Sequence, residues 1–171
     1  MTLPPAQYYA QLATNIVGAG AIFYDDAGRI LLVRPTYRDD TWEIPGGGLD
    51  HGEHPHQTVI REIREELGIT LQPGRLLVTD WVPATPEGRP PLLNFLFDGG
   101  QMTHDQAQAQ ILLDPEELSD WRFADRATWH TLMAPHMARR LDICAQALDT
   151  GTTRYLVNGH EPTAALTTPA G

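Results

Sequence analysis

Residues 47–69 read GGLDHGEHPHQTVIREIREELGI, and the interpretation of the whole chain turns on them. The segment from about His54 to Leu67 has the pattern of an amphipathic helix. Val59, Ile63 and Leu67 recur at i, i+4 and i+8, which puts three apolar side chains on one stripe. Pro55 falls in the first turn, where its missing N–H would have had no partner. Gly68 follows the last turn, where a left-handed residue commonly ends a helix. The helix also carries Glu62, Glu65 and Glu66, and Glu53 stands just before it. Carboxylates three and four residues apart share a face and repel by roughly 0.2–0.5 kcal/mol per pair. Arg61 and Arg64 offset only part of that charge. A string such as REIREE often does no more than keep a helix face wet. The other explanation is that cations neutralise it, since oxygen donors suit Mg²⁺ or Mn²⁺, ions that bridge carboxylates to phosphates.

The surrounding spacing favours the second explanation. From Gly47, five residues lead to Glu53, and seven more lead to Arg61-Glu62-Ile63-Arg64-Glu65-Glu66-Leu67-Gly68-Ile69. This resembles the signature of the Nudix hydrolases: Gly, five residues, Glu, seven residues, then R-E-apolar-x-E-E-x-G-apolar. All nine specified positions match. Trp42-Glu43-Ile44-Pro45-Gly46-Gly47 is similar to the strand and loop that enter that motif. The resemblance extends over about residues 15–140, with falling specificity away from the signature.

The resemblance implies an α/β/α sandwich with a mixed β-sheet. It implies a Mg²⁺-dependent hydrolase, with Mn²⁺ as a substitute, in which water cleaves the diphosphate linkage of a nucleoside diphosphate derivative. Nucleoside triphosphates, ADP-ribose and nucleotide sugars are the candidate substrates. Glu65 and Glu66 are then metal ligands, Glu62 binds metal or a metal-held water, and the Gly46 carbonyl completes the set. In this family the general base can come from a late loop. Glu116 and Glu117 are the candidates here, with Glu117 preferred; the plainer reading of Asp114-Pro115-Glu116-Glu117 is an acidic helix start capped by Asp114. A Nudix fold serving as a catalytically silent nucleotide-binding module is the alternative function, although none of its four glutamates is lost.

Residue chemistry assigns further roles. Gly47 lets backbone approach metal and phosphates without an intervening Cβ. Arg61 is placed to tie Glu53 to the helix or to pair with Glu65 one turn on. Gly47, Glu53 and Gly68 are structural members of the motif. Arg34, Arg38, Tyr37, Trp81 and Phe97 are candidates for gripping phosphates or stacking on a base, although aromatic residues in strands usually belong to the core. His51, His54 and His56 match no structural zinc spacing and read as solvated. Cys144, in an apolar helical stretch, reads as a small buried hydrophobe.

Outward from the motif, residues 1–14 form an N-terminal arm, 15–150 the Nudix domain, and 151–171 a partly mobile C-terminal tail in which Tyr155-Leu156-Val157 can pack back. Residues 16–24 and 29–34 suggest a β-hairpin, Gly46 to Gly48 a flexible loop, and 75–82 and 92–97 further strands. Residues 101–110 read as an irregular loop, and 128–148 as helix broken near Pro135.

The chain of 171 residues carries a net charge of −10, with 12 Lys and Arg residues, none of them Lys. That balance argues against a nucleic-acid polymer as partner and points to a small nucleotide-type molecule reached through cations. No apolar run is long enough for a membrane span. The first fifteen residues lack the pattern of a secretory leader, and a single cysteine fits a reducing compartment, so a cytoplasmic location is expected. A homodimer is expected to use the N-terminal arm or the Tyr155 segment.

Overall fold

Alternation along the strands sorts the apolar side chains onto two faces of one sheet. The computed structural model describes residues 4–38 and 40–162. In β1 (Ile16–Tyr24), Ala19, Ala21 and Phe23 enter one core while Ile22 enters the other. In β2 (Ile30–Pro35), Leu31 and Val33 oppose Ile30 and Leu32 in the same way. A short helix, α1 (Pro5–Tyr9), precedes β1 and buries none of its residues. After β2 come β3 (Gly46–Gly48), α2 (Pro55–Leu67), β4 (Leu76–Val82) and β5 (Leu92–Gln101). They are followed by α3 (His104–Gln110), β6 (Leu118–Ala124), α4 (Arg126–Leu132), α5 (Pro135–Thr150) and β7 (Arg154–Val157).

The strands are ordered β6-β2-β1-β5-β4-β7, with β3 also paired to β1. The sheet is mixed: β1–β5 and β4–β7 are parallel, and the other pairs antiparallel. One face packs on α2 and α3 through Val59, Ile63, Leu67 and Ala107. The other packs on α4 and α5 through Trp129, Leu141, Cys144 and Ala147. This is the expected α/β/α sandwich. The stripe of α2 is fully buried, and each such side chain stabilises the fold by about 1.5–3 kcal/mol relative to exposure.

Four features depart from the sequence reading. β1 and β2 pair at Tyr24 and Ile30 beside their turn, then separate. The segment ending in the three glycines enters the gap: Val33 bridges Glu43, and Gly18, Ala19 and Gly20 pair with Gly48, Gly47 and Gly46. These glycines are therefore a strand rather than a flexible loop. Gly46, at φ 140°, lies so close to Ala19 and Gly20 that any Cβ would collide with their backbone. Second, residues 104–110 form α3 where a loop was expected, because Thr103 and Gln106 cap it reciprocally: Gln106 N–H donates to Thr103 Oγ1 (3.2 Å) and Thr103 N–H to Gln106 Oε1 (2.8 Å). Third, residues 114–117 form a turn into β6 and not a helix start. Fourth, β6 itself escaped the sequence reading, since its buried positions do not alternate regularly.

The break between α4 and α5 at Pro135 and the return of β7 onto β4 follow expectation. The end of the tail expected to be mobile, residues 163–171, lies outside the described residues.

Candidate active site

The geometry of α2 begins with its ends. Pro55 opens the helix, His54 N–H donates to Gln57 Oε1 (3.2 Å), and Gly68 closes it at φ 69°. With the Val59–Ile63–Leu67 stripe in the core, the helix rotation is set and the carboxylates separate. Glu66 is turned inward and is only 8% exposed. Its Oε2 accepts a hydrogen bond from the Gly46 N–H at 2.8 Å. Burial pushes the Glu66 pKa up to about 8; the Gly46 N–H opposes that shift, while Glu62, Glu117 and Glu43 add to it. Glu62 is also raised, first by burial, with Arg61 pulling it down and Glu65 and Glu117 raising it. A methyl group on Gly47 would fall 2.5 Å from the Glu62 carboxylate, so glycine there keeps backbone and acid in contact.

Arg61 joins the loop to the helix. Its Nε and Nη2 donate to the two oxygens of Glu53 at 2.8 and 3.0 Å. Nη2 also donates to the Gly48 carbonyl (2.9 Å), and Nη1 to Glu62 (2.8 Å) and Glu65 (3.0 Å). Both partners considered for Arg61 are thus engaged at once. Its guanidinium, bonded to Glu53, holds that carboxyl down at about 2.

Two clefts adjoin along Gly46–Gly48, and Tyr37, Glu43 and Ile44 line both. The carboxylate cleft, about 350 Å³, contains Glu62, Glu66, Glu116 and Glu117. The inner cleft, about 570 Å³, runs on between β1, β4, β5 and the start of α5. The turn bearing Glu116 and Glu117 is pinned from two sides. Thr36 N–H donates to the Glu117 carbonyl (2.8 Å) and Thr36 Oγ1 to that of Glu116 (2.7 Å), while Asp114 N–H donates to the Glu66 carbonyl (3.1 Å).

The residues named from sequence are therefore distributed unevenly. Glu62, Glu66, Glu117, Gly46 and Gly47 surround the carboxylate cleft, and Arg38 lines the inner one. Glu65 lines neither: it sits one helical step from Glu66, is 47% exposed and pairs with Arg61 and Arg64. The structure does not bring Arg34, Trp81 or Phe97 to either cleft. Phe97 is in the core under α2, with the His56 ring edge-on to it, because its strand position alternates toward that layer. Cys144 is fully buried in α5, its thiol pushed up to about 12 by that burial, and it also lines neither cleft. His51, His54 and His56 are exposed.

Glu43, Asn94, Arg140 and His136 line the clefts but were not singled out from sequence. Glu43 carried a signal in the alternation Trp42-Glu43-Ile44, and Asn94 in being the one polar residue of Leu92-Leu93-Asn94-Phe95-Leu96-Phe97.

The donors around the carboxylate cleft are all oxygens, and its acids Glu43, Glu62, Glu66, Glu116 and Glu117 outnumber the guanidiniums paired with them, Arg61 on Glu62 and Arg38 on Glu43. That chemistry fits a hard divalent cation. Among the described residues no three His, Cys, Asp or Glu side chains already converge as a closed ligand set.

A family model described as the NUDIX domain matches residues 14–144, more than half of the chain. The chain belongs to the NUDIX family. The Nudix domain is 29% identical over 139 residues to an RNA pyrophosphohydrolase of Novosphingobium aromaticivorans, covering 70% of this chain and 83% of that protein. It is 47% identical over 66 residues to an ADP-ribose pyrophosphatase of Mycobacterium tuberculosis, covering 36% of this chain and 32% of that one. Other curated relatives are likewise matched over only 29%, 26% and 34% of their length. In fold, the Nudix domain is similar to a crystallised UDP-X diphosphatase, with a TM-score of 0.66, 20% identity, and coverage of 91% of this chain and 76% of that one. No described helix is long and apolar enough to cross a membrane.

Proposed function

We propose that this Nudix protein is a divalent-cation-dependent pyrophosphohydrolase acting on a nucleoside diphosphate derivative. The observation that carries the proposal is Glu66. A carboxylate 8% exposed, held by the Gly46 N–H and crowded by Glu62, Glu117 and Glu43, makes sense where positive charge is to be received. Glu62, Glu65 and Glu66, with the Gly46 carbonyl, would hold the ion, Mg²⁺ or Mn²⁺. Glu65 would do so by leaving Arg61. The cation supplies polarisation of water and neutralisation of phosphate charge.

The chain's own residues do the rest. Gly46–Gly48 present a backbone wall without side chains to the diphosphate. Arg61 clamps Glu53 and the Gly48 carbonyl, so the loop keeps its distance from α2. Glu117, pinned opposite Glu62 and Glu66, takes the proton of the attacking water. The water oxygen bonds to one phosphorus as the bridging P–O bond breaks, and the leaving phosphate departs with that oxygen. Arg38, which lines the inner cleft, steadies the phosphate chain.

Phosphate release across nucleoside triphosphates, ADP-ribose, nucleotide sugars and dinucleoside polyphosphates, with and without Mg²⁺, tests this directly. Hydrolysis that needs the cation and is lost in Glu66→Gln is expected. Equal, negligible rates in both proteins would reduce the chain to a binding module. An RNA substrate is the second reading, favoured by the name of the relative matched over 83% of its length, an RNA pyrophosphohydrolase. The net charge of −10 weighs against it, and an RNA oligonucleotide cleaved no faster than a free nucleotide would exclude it. A cytoplasmic homodimer covering the exposed Tyr8 and Tyr9 belongs to the same proposal; a single-chain mass in sedimentation removes that part.

A further inference from the structure

Beyond Leu156 the chain turns through Asn158 and Gly159 against the start of α5. Asn158, at φ 54°, is the one non-glycine residue with positive φ among the described residues, and Gly159 follows at φ 78°. Val157 N–H donates to the His160 carbonyl (2.8 Å) and His160 N–H to that of Val157 (3.1 Å), which closes the turn. Two successive residues of positive φ make the tight hairpin turn in which Asn-Gly is favoured. Packing imposes glycine as well, since a Cβ at Gly159 would lie 2.5 Å from the His136 carbonyl oxygen on α5. Turn geometry thus places here the dipeptide most open to spontaneous deamidation, because glycine puts no side chain between its own nitrogen and the preceding amide.

The nucleophile of that reaction is held by a buried acid. Asp80, on β4 opposite Asn94 of β5, is fully buried. Its Oδ1 accepts the Gly159 N–H at 3.1 Å, and its Oδ2 accepts Arg140 Nε at 2.7 Å. Gly159 is buried too, whereas Asn158 is only half-buried. Asn158 N–H donates to the Trp81 carbonyl (2.8 Å), and Arg139 Nη2 to the Asn158 carbonyl (3.3 Å). In this arrangement the Gly159 nitrogen cannot attack: its proton is engaged, and negative charge developing on it would face a carboxylate.

We propose that Asn158–Gly159 is a covalent modification site, latched by Asp80 and converted when the turn opens. In the open turn the Gly159 N–H loses its proton to solvent and the nitrogen bonds to Asn158 Cγ. The Cγ–Nδ2 bond breaks, and Nδ2 takes a proton from solvent and leaves as ammonia. Water then opens the cyclic imide at either carbonyl, leaving aspartate or isoaspartate at position 158. The isoaspartyl form has one more backbone carbon, so Gly159 no longer reaches Asp80 while Val157 and His160 stay paired.

The full chain, incubated at mildly alkaline pH and followed by peptide mass spectrometry, tests the latch. Folded wild type is expected to convert at position 158 at least about tenfold more slowly than the same chain unfolded in urea, because the open fraction limits the rate. Asp80→Ala, shown folded by circular dichroism, should convert about tenfold faster than wild type through local opening. Ile63→Ala, which destabilises the core on the other face of the sheet, should stay near the wild-type rate. Equal rates in folded and unfolded wild type, an unchanged or slower rate in Asp80→Ala, or an equal gain in both variants would each overturn the proposal. Should Asp80→Ala not fold, sub-denaturing urea decides the matter in wild type. Conversion is expected to rise in step with hydrogen exchange at the Gly159 amide, and conversion independent of that exchange would overturn the latch.

Discussion

The two clefts that meet at Gly46–Gly48 are assembled in opposite ways. The carboxylate cleft takes its acids mainly from one helix and one short turn, and there burial pushes Glu66 up to about 8, with Glu62, Glu117 and Glu43 adding to the shift. The inner cleft draws on residues as far apart as Ile16 and Arg140, and its buried charge is already matched, Asp80 to Arg140 across 60 positions of sequence. A site left short of positive charge is arranged to receive it from outside. A site whose charge is internally matched is arranged to present shape and donors. On the proposed function, the first would receive a cation and the second an uncharged group.

Substitutions can test that contrast, beginning with the largest expected effect. Glu66→Gln should lower kcat by on the order of 10²–10⁴-fold, as for loss of a group acting directly on the reacting water or its ion. Its stability should be unchanged or higher, because a neutral amide can still accept from Gly46 while the buried charge is gone; a large drop in melting temperature would instead make Glu66 a structural residue. Asp80→Ala should show the opposite pattern. It leaves the Arg140 guanidinium buried without its partner and the Gly159 N–H without an acceptor, a destabilisation of about 3–5 kcal/mol readable by urea titration. A loss under about 1 kcal/mol would mean that the pair is not the closed unit described here.

Arg61→Ala is expected to reduce activity about 10–100-fold, through a loosened loop rather than loss of a reacting group. Faster hydrogen exchange between Leu49 and Glu53 should accompany it, and an unaltered exchange pattern would count against the clamp. Phe97→Leu is the mildest case. It should cost about 1–1.5 kcal/mol of stability and leave KM unaltered, since the ring packs under α2 rather than in a cleft. A raised KM at constant stability would return Phe97 to the substrate site.

What the sequence made legible follows the same division. The buried stripe Val59–Ile63–Leu67, the ends of α2 at Pro55 and Gly68, and the nearness of Arg61 to Glu53 and Glu65 are all short-range. They were readable because helical period fixes which side chains are neighbours. The helix α3 was equally readable in the Thr103–Gln106 capping pair but was masked by its polar composition. Arg34, Trp81 and Phe97 were credible by chemistry alone, and the sheet turned them away from the clefts. Asn94 stood out as polar among apolar neighbours, yet nothing in its vicinity named Asp80 or Arg140 as companions.

Residues 47–69 alone dictate a capped helix, its buried stripe and the spacing of its acids, because those depend on local geometry repeated every few residues. The insertion of Gly46–Gly48 between β1 and β2, the inward turn of Glu66 against Gly46, the withdrawal of Glu65 toward Arg61 and the meeting of Asn94, Asp80 and Arg140 depend on strand order and register. Those are settled by packing between segments tens of residues apart, a relation that no local pattern encodes.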